Sequence, residues 1–139
     1  MSKLGDFLRP ITTEKTQEVV VSDRFVDESG NSAKITIKAI FQAENQALLK
    51  MCTRAEKDPK GQYYDKFDND EYRKRLIVAC TTVPDFKEKE ICDVYGCVDP
   101  LDVPGKMFFS GEYTMLVKYI MDINGYKDID ELSEEAKNF

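Results

Sequence analysis

The sequence predicts an α+β protein in which an N-terminal antiparallel β-hairpin, at about residues 18–41, packs against a mainly helical C-terminal two-thirds. Two observations carry this prediction: apolar and polar residues alternate in the N-terminal third, and apolar residues recur at helical spacing after it. With 139 residues and 42% hydrophobic content, the chain can build one core and little more. We therefore expect a single domain over residues 1–139, with helices from about residue 43 to 138.

The clearer strand of the predicted hairpin lies at residues 33–41. Its inward residues alternate with polar ones and are Ile35, Ile37, Ala39 and Phe41. The preceding strand is expected at residues 19–25, and Gly30 with Asn31 supplies a turn because both residue types tolerate positive φ. A single hairpin is marginally stable, so helices are expected to cover its apolar face.

Helix-start signals divide the following residues. The first helix is expected to end near residues 57–61 and to present four residues to the core: Ala43, Ala47, Leu48 and Met51. Residues 62–67 are expected to form an ordered loop or a short extended piece. Asp68 and Glu71 have capping-box spacing and open a helix whose inward residues are Tyr72, Leu76, Ile77 and Cys80.

The same spacing recurs at Asp85 and Glu88, which predicts a third helix with apolar residues at Ile91, Val94 and Tyr95. Gly96 is a natural end for this helix, because glycine accepts the left-handed conformation common at helix C-termini. Pro100 and Pro104 are expected to bracket a turn before the next helix.

The stretch from residue 108 to 124 carries more apolar surface than one helix face needs. On a helix its polar residues fall on one narrow stripe, formed by Thr114, Lys118 and Asp122. The stretch is too short and too interrupted to cross a bilayer, which takes about 20 mostly apolar residues. The helix is therefore either central to its own domain or half committed to a protein partner. A last short acidic helix is expected near residues 128–137.

Composition excludes several classes of function. The net charge of -6 and the pI near 4.8 disfavour a phosphate backbone, so no nucleic acid partner is expected. The first ten residues contain neither an apolar run nor a small-residue cleavage site, which makes the cytoplasm the expected compartment, with no membrane partner.

The chain contains no histidine, which removes the Ser-His-Asp and Cys-His nucleophile pairs, histidine metal sites and the usual base near neutral pH. The 26 Asp and Glu residues cluster at predicted helix starts and loops, where capping and solubility explain them. We expect no catalytic residues, no cofactor and no metal. The four cysteines lack paired zinc-ligand spacing and are expected to be buried reduced thiols: Cys52, Cys80, Cys92 and Cys97.

Several short motifs, in order along the chain, carry a resemblance to a known family. They are Ser22-Asp23-Arg24-Phe25, Val83-Pro84-Asp85-Phe86, Gly111-Glu112-Tyr113 followed by Leu116, Ile123-Asn124-Gly125-Tyr126, and Glu134-Glu135-Ala136-Lys137-Asn138. Through these motifs, the chain resembles the tail assembly chaperones of long contractile-tailed phages and of phage-like prophage elements of Gram-positive bacteria.

The resemblance implies a non-enzymatic chaperone that coats the long, helical, hydrophobic tape measure protein before the tail tube polymerises around it. Other implied partners are the tail tube protein, a longer frameshifted form that shares this domain, and a second copy of the chain. Such a chaperone is expected in the host cytoplasm and absent from the mature particle. The alternatives are a structural tail or head-tail completion subunit retained in the particle, and a secretion-type chaperone or antagonist of a host protein.

Seven residues are candidates for partner binding: Arg24, Glu112, Tyr113, Met115, Leu116, Tyr119 and Ile120. Structural alternatives stand beside each role. Arg24 is a candidate salt-bridge residue, and Glu112 is a candidate cap for the positive end of its helix. Leu116 and Ile120 are equally candidates for the core.

Overall fold

The computed structural model describes residues 3–8 and 14–126, and the α+β class is confirmed. The strands are β1 (Thr16–Val19), β2 (Ile35–Lys38), β3 (Thr53–Lys57), β4 (Tyr63–Phe67) and β5 (Thr81–Val83). The helices are α1 (Gln42–Met51), α2 (Asn69–Cys80), α3 (Lys89–Val94), α4 (Val103–Met107) and α5 (Ser110–Ile123). Two turns of 3₁₀-helix lie at Lys3–Phe7 and Pro100–Asp102.

The N-terminal hairpin is present as β1 and β2, paired antiparallel from Thr16 opposite Lys38 to Val19 opposite Ile35. Its first strand is shorter than expected. The chain leaves the sheet after Val19 and turns where the Arg24 amide donates to Ser22 Oγ at 3.1 Å. The expected turn at residues 27–31 closes a small separate loop inside this long connection, with Gly30 at φ +81°.

β2 is the central strand of a three-stranded sheet ordered β1-β2-β5, so the predicted hairpin is extended by a third strand whose position the sequence did not predict. Ile35 and Ile37 are buried as expected. Phe41 is 79% exposed and Ala39 only half-buried, because the strand ends at Lys38 and Phe41 precedes the first turn of α1.

The inward face predicted for α1 was wrong. Ala43, Ala47 and Met51 are exposed and only Leu48 of the four packs partly against the core. The residue of α1 that is buried is Asn45. Burial of its amide is tolerated because the Tyr72 hydroxyl donates to Asn45 Oδ1 and Asn45 Nδ2 donates to Gln42 Oε1.

The helices expected from about residue 43 are interrupted, since α1 ends at Met51 and not near residues 57–61, and a second hairpin follows. The short extended piece, one of the two structures expected for residues 62–67, is confirmed as strand β4. β3 and β4 pair antiparallel over five residues each, from Thr53 opposite Phe67 to Lys57 opposite Tyr63. All ten strand residues are exposed. A hairpin without a buried face has no apolar alternation, and this is why the sequence pattern did not reveal β3 or its pairing with β4.

α2 begins as predicted. The Asp68 carboxylate accepts a hydrogen bond from the Glu71 amide at 3.0 Å, and the inward residues are buried, or half-buried in the case of Tyr72. The second predicted cap differs: Asp85 Oδ1 accepts from the Lys87 amide at 3.0 Å, within a turn that precedes α3. α3 is six residues long and ends at Val94, and Gly96, at φ +67°, terminates it two residues further on, as expected.

α5 lies at the centre of the core. Leu116, Ile120 and Ile123 are buried on its inner face, and the predicted polar stripe is exposed. Phe108, just before the helix, meets Phe86 and Phe25 edge-on, at centroid distances of 6.4 and 6.0 Å. Pro104 lies in the first turn of α4 and not in a simple turn. The acidic helix expected near residues 128–137 lies outside the described residues.

Candidate partner-binding surface

Arg24 and Glu112 form an ion pair between the β1–β2 connection and the start of α5. Arg24 Nη2 lies 2.5 Å from Glu112 Oε1, and Arg24 Nε lies 3.4 Å from Glu112 Oε2. The guanidinium also donates to the Met107 carbonyl oxygen at 3.0 Å and stacks over the Phe109 ring, 4.1 Å from its centroid. One arginine therefore ties the β1–β2 connection to the stretch from Met107 to Glu112, which is more than 80 residues away in sequence.

Glu112 also satisfies the helix that carries it. Its Oε1 accepts a hydrogen bond from the Phe109 amide at 2.8 Å, a donor left free at the start of α5. The hydrogen bond from Arg24, with smaller contributions from Ser22 and the Phe109 amide, lowers the pKa of Glu112 to about 2. Both structural roles left open by the sequence, salt bridge and helix cap, are thus realised at these two residues.

The five apolar candidates on α5 differ in accessibility. Leu116 and Ile120 are fully buried, so their side chains belong to the core in this conformation. Tyr113 and Tyr119 are half-buried against the core. Burial raises the pKa of the Tyr113 hydroxyl. Met115, at 39% exposure, is the most accessible of the five.

A surface depression of about 440 Å³ lies between β5, α3 and Met107, and we call it the acidic groove. Its apolar lining comprises Val83, Pro84, Ile91, Val94, Tyr95 and Met107. Its charged lining residues are all carboxylates: Asp85, Glu88 and Glu90. Val94 is 73% exposed and Val83 54% exposed, so this face presents apolar surface to solvent.

A smaller depression of about 240 Å³ adjoins the acidic groove, with which it shares Val83, Pro84 and Met107. Its further lining residues are Val21, Ser22, Phe25, Ala33, Lys34 and Ile35. Sequence reasoning missed the acidic groove because Val94 was named only as an apolar residue of the third predicted helix, with no assignment of which side chains of that helix stay exposed. One feature could have indicated it: α3 is short, and a helix of six residues cannot bury apolar side chains on all of its faces.

The thiols have inert surroundings. Cys52, Cys80 and Cys92 are buried and Cys97 is half-buried, and all four are free. Burial raises the pKa of Cys80 to about 11 and raises that of Cys52 and Cys92, which disfavours the reactive thiolate. Among the described residues there is no group of three or more Cys, Asp and Glu side chains that could hold a metal ion. The described part of the chain also contains no helix with the length and apolarity needed to span a membrane.

The fold and sequence together define the class of protein. A sequence model of the phage XkdN-like tail assembly chaperone family matches residues 4–137, so this chain belongs to that family. The resemblance carried by the sequence motifs is thereby confirmed.

Two relatives come from Bacillus subtilis (strain 168). The chain is 33% identical over 137 residues to the phage-like element PBSX protein XkdN, with 95% of this chain and 92% of that protein covered. It is 35% identical over 137 residues to the uncharacterized protein YqbN, with 95% of this chain and 91% of that protein covered. The crystal structure of the protein YqbN matches with a TM-score of 0.75 at 27% identity, covering 91% of this chain and 99% of that chain.

Proposed function

We propose that this chain binds the tape measure protein during tail assembly, keeps it soluble and supports tail tube polymerisation, without catalysing a reaction. The observation that carries the proposal, beside membership of the family, is the acidic groove. It combines exposed apolar side chains at Val83 and Val94 with carboxylates at Glu88 and Glu90.

The chemistry of the groove suits an amphipathic helical client. Apolar side chains of the client would be removed from water by Val83, Ile91 and Val94, while basic side chains at its flanks would meet the groove carboxylates. The charge of -6 would keep the covered client dispersed. Moderate affinity at each copy, repeated along a long client, would allow both coating and release.

The exposed face of α5 is a second candidate contact area in this proposal. Met115 and the accessible edges of Tyr113 and Tyr119 would extend the client surface, and methionine adapts to varied apolar partners. Arg24 and Glu112 would act indirectly, by holding the start of α5 in place. The proposal also places the chain in the host cytoplasm, absent from the mature particle. The tail tube protein and a longer frameshifted form are further candidate partners.

The test is co-expression of this chain with the presumed tape measure protein, the largest tail protein encoded nearby, followed by pull-down and a solubility assay. Wild-type chain should raise the soluble fraction of the client and co-purify with it. Val94→Asp should reduce both effects, because it places a charge in the apolar lining of the groove. Val98→Asp is the matched control, since Val98 is fully exposed and lies outside the groove lining.

Two results would count against this function. An unchanged soluble fraction of the client with wild-type chain would remove the chaperone role. Recovery of the chain in purified particles at fixed stoichiometry would instead indicate a structural tail or head-tail completion subunit.

A further inference from the structure

The β3–β4 hairpin projects from the domain with no buried residue. Its base is anchored where the Asp68 amide donates to the Cys52 carbonyl oxygen at 2.8 Å and where Phe67 meets Tyr72 at 5.7 Å between ring centroids. Tyr63 is 72% exposed. Two-stranded hairpins that are solvated on both faces are marginally stable, so added strands would stabilise this one.

Both outer edges of this hairpin are unpaired within residues 3–8 and 14–126. The hydrogen bonds at its two ends fix which backbone groups face outward. Cys52 and Asp58 both bond across to the opposite strand, and bonding direction alternates along an antiparallel pair. Thr53, Ala55 and Lys57 therefore point their N–H and C=O groups away from β4, into the open edge.

The β3 sequence is self-complementary when read against itself in the antiparallel direction. With Ala55 opposite Ala55 of a second copy, Arg54 lies opposite Glu56, and Glu56 lies opposite Arg54. Arg54 and Glu56 lie on one face of the strand, and their side chains are 70% and 45% exposed. The central alanines are small enough to sit side by side across a two-fold axis.

β4 lacks this property. The same symmetric arrangement centred on its middle residue would place the two Asp65 carboxylates opposite each other, and like charges directly opposite destabilise a strand pair. The two edges of the hairpin are therefore chemically different.

We propose that β3 pairs antiparallel with β3 of a second copy of this chain, about a two-fold axis at Ala55, to form a four-stranded sheet ordered β4-β3-β3-β4. The interface uses one patch twice, as in most homodimers. The two acidic grooves lie outside the paired strands. The proposal does not depend on client binding, because it concerns the purified chain alone.

Proline substitution at matched positions of the two edges provides the test. Ala55→Pro removes an outward N–H from β3, and proline is tolerated at an edge position whose N–H faces solvent. Asp65→Pro makes the same change on the facing residue of β4. Sedimentation velocity of the purified chain over a concentration series should show a dimer for wild type and Asp65→Pro, and a monomer for Ala55→Pro. Circular dichroism would establish that both variants fold.

A charge exchange tests the register independently. Arg54→Glu would place like charges opposite each other twice, and should weaken the dimer about tenfold or more. The double variant Arg54→Glu with Glu56→Arg restores both pairs across the axis and should recover the dimer. A wild-type chain that stays monomeric throughout, a dimer that survives Ala55→Pro, or a dimer lost only in Asp65→Pro would overturn the proposal.

Discussion

At the scale of single residues, Glu112 carries more contacts than its position on the surface suggests. It accepts hydrogen bonds from Arg24 and from the Phe109 amide, so one carboxylate both caps α5 and anchors the β1–β2 connection. Arg24 is 88 residues away in the sequence. The pair therefore restrains a long-range contact, and the charge on Glu112 should influence stability.

The pKa of Glu112 makes this influence dependent on pH. Its value is lowered from 4.5 to about 2 in the folded chain, chiefly by the hydrogen bond from Arg24. The unfolded chain takes up the proton first as the pH falls, so the stabilisation is complete above about pH 5 and is lost between about pH 5 and 2. Glu112→Gln should lower the free energy of unfolding at neutral pH, with a deficit that shrinks towards pH 2.

Urea unfolding of wild type and Glu112→Gln at a series of pH values measures that deficit. Glu18→Gln is a suitable control, because Glu18 is exposed and its ion pair with Lys34 is loose, at 3.7 Å. A deficit for Glu112→Gln that stayed constant from pH 7 to pH 2 would show that the charge of Glu112 contributes little.

At the scale of elements, the packing of α5 shows whether its many apolar residues serve the core or a partner. Most of the apolar side chains of α5 are buried or half-buried against the sheet and α2, and Met115 is the accessible exception. The edge-on contacts of Phe108 with Phe25 and Phe86 continue this packing before the helix begins. The helix is therefore central to its domain, and a partner could reach only its outer side.

Adjacent residues on α5 should respond very differently to truncation. Leu116→Ala should destabilise the chain by about 2–5 kcal/mol, since it opens a cavity at a fully buried site. Met115→Ala should change stability by no more than about 0.5 kcal/mol, because Met115 faces solvent. Denaturant unfolding of both variants measures the contrast. Equal losses at the two positions would mean that α5 packs differently from the arrangement described.

At the scale of the whole molecule, charge is the property most relevant to the proposed partner. The net charge is -6, and three carboxylates line the acidic groove without a lining cation. If the client presents basic flanks, added salt should weaken its capture, since the screening length is about 10 Å at 0.1 M ionic strength.

Pull-down of the client over a salt series tests this electrostatic contribution. Replacing Glu88 and Glu90 together by glutamine should lower capture at low salt and flatten its salt dependence. Replacing Glu18 and Glu28 by glutamine removes the same number of charges at positions outside the groove. This control should leave capture at low salt and its salt dependence nearly unchanged. Equal behaviour of the two double variants would assign the effect to net charge and not to the groove.

Much of the local structure was predictable from short-range chemistry. The alternation around Ile35 and Ile37 marked a half-buried strand, and Asp68 with Glu71 marked a helix start. Gly96 marked a helix end, and the dense apolar stretch marked a central helix. Each of these depends on interactions within a few residues, so the pattern is visible in one sequence. Family membership was likewise visible, because its motifs are short and ordered along the chain.

Tertiary structure alone decided the remaining features. The position of β5 was not predicted because three residues show no period, and its pairing with β2 joins segments distant in sequence. The β3–β4 hairpin has no buried face to mark it. The Arg24–Glu112 pair could not be located in advance, since it joins segments distant in sequence. The acidic groove lies mostly within residues 82–95, but packing decides which of its apolar side chains stay exposed. The sequence by itself determined the fold class, the family and the capped elements, while packing decided which apolar residues are buried and which remain available to a partner.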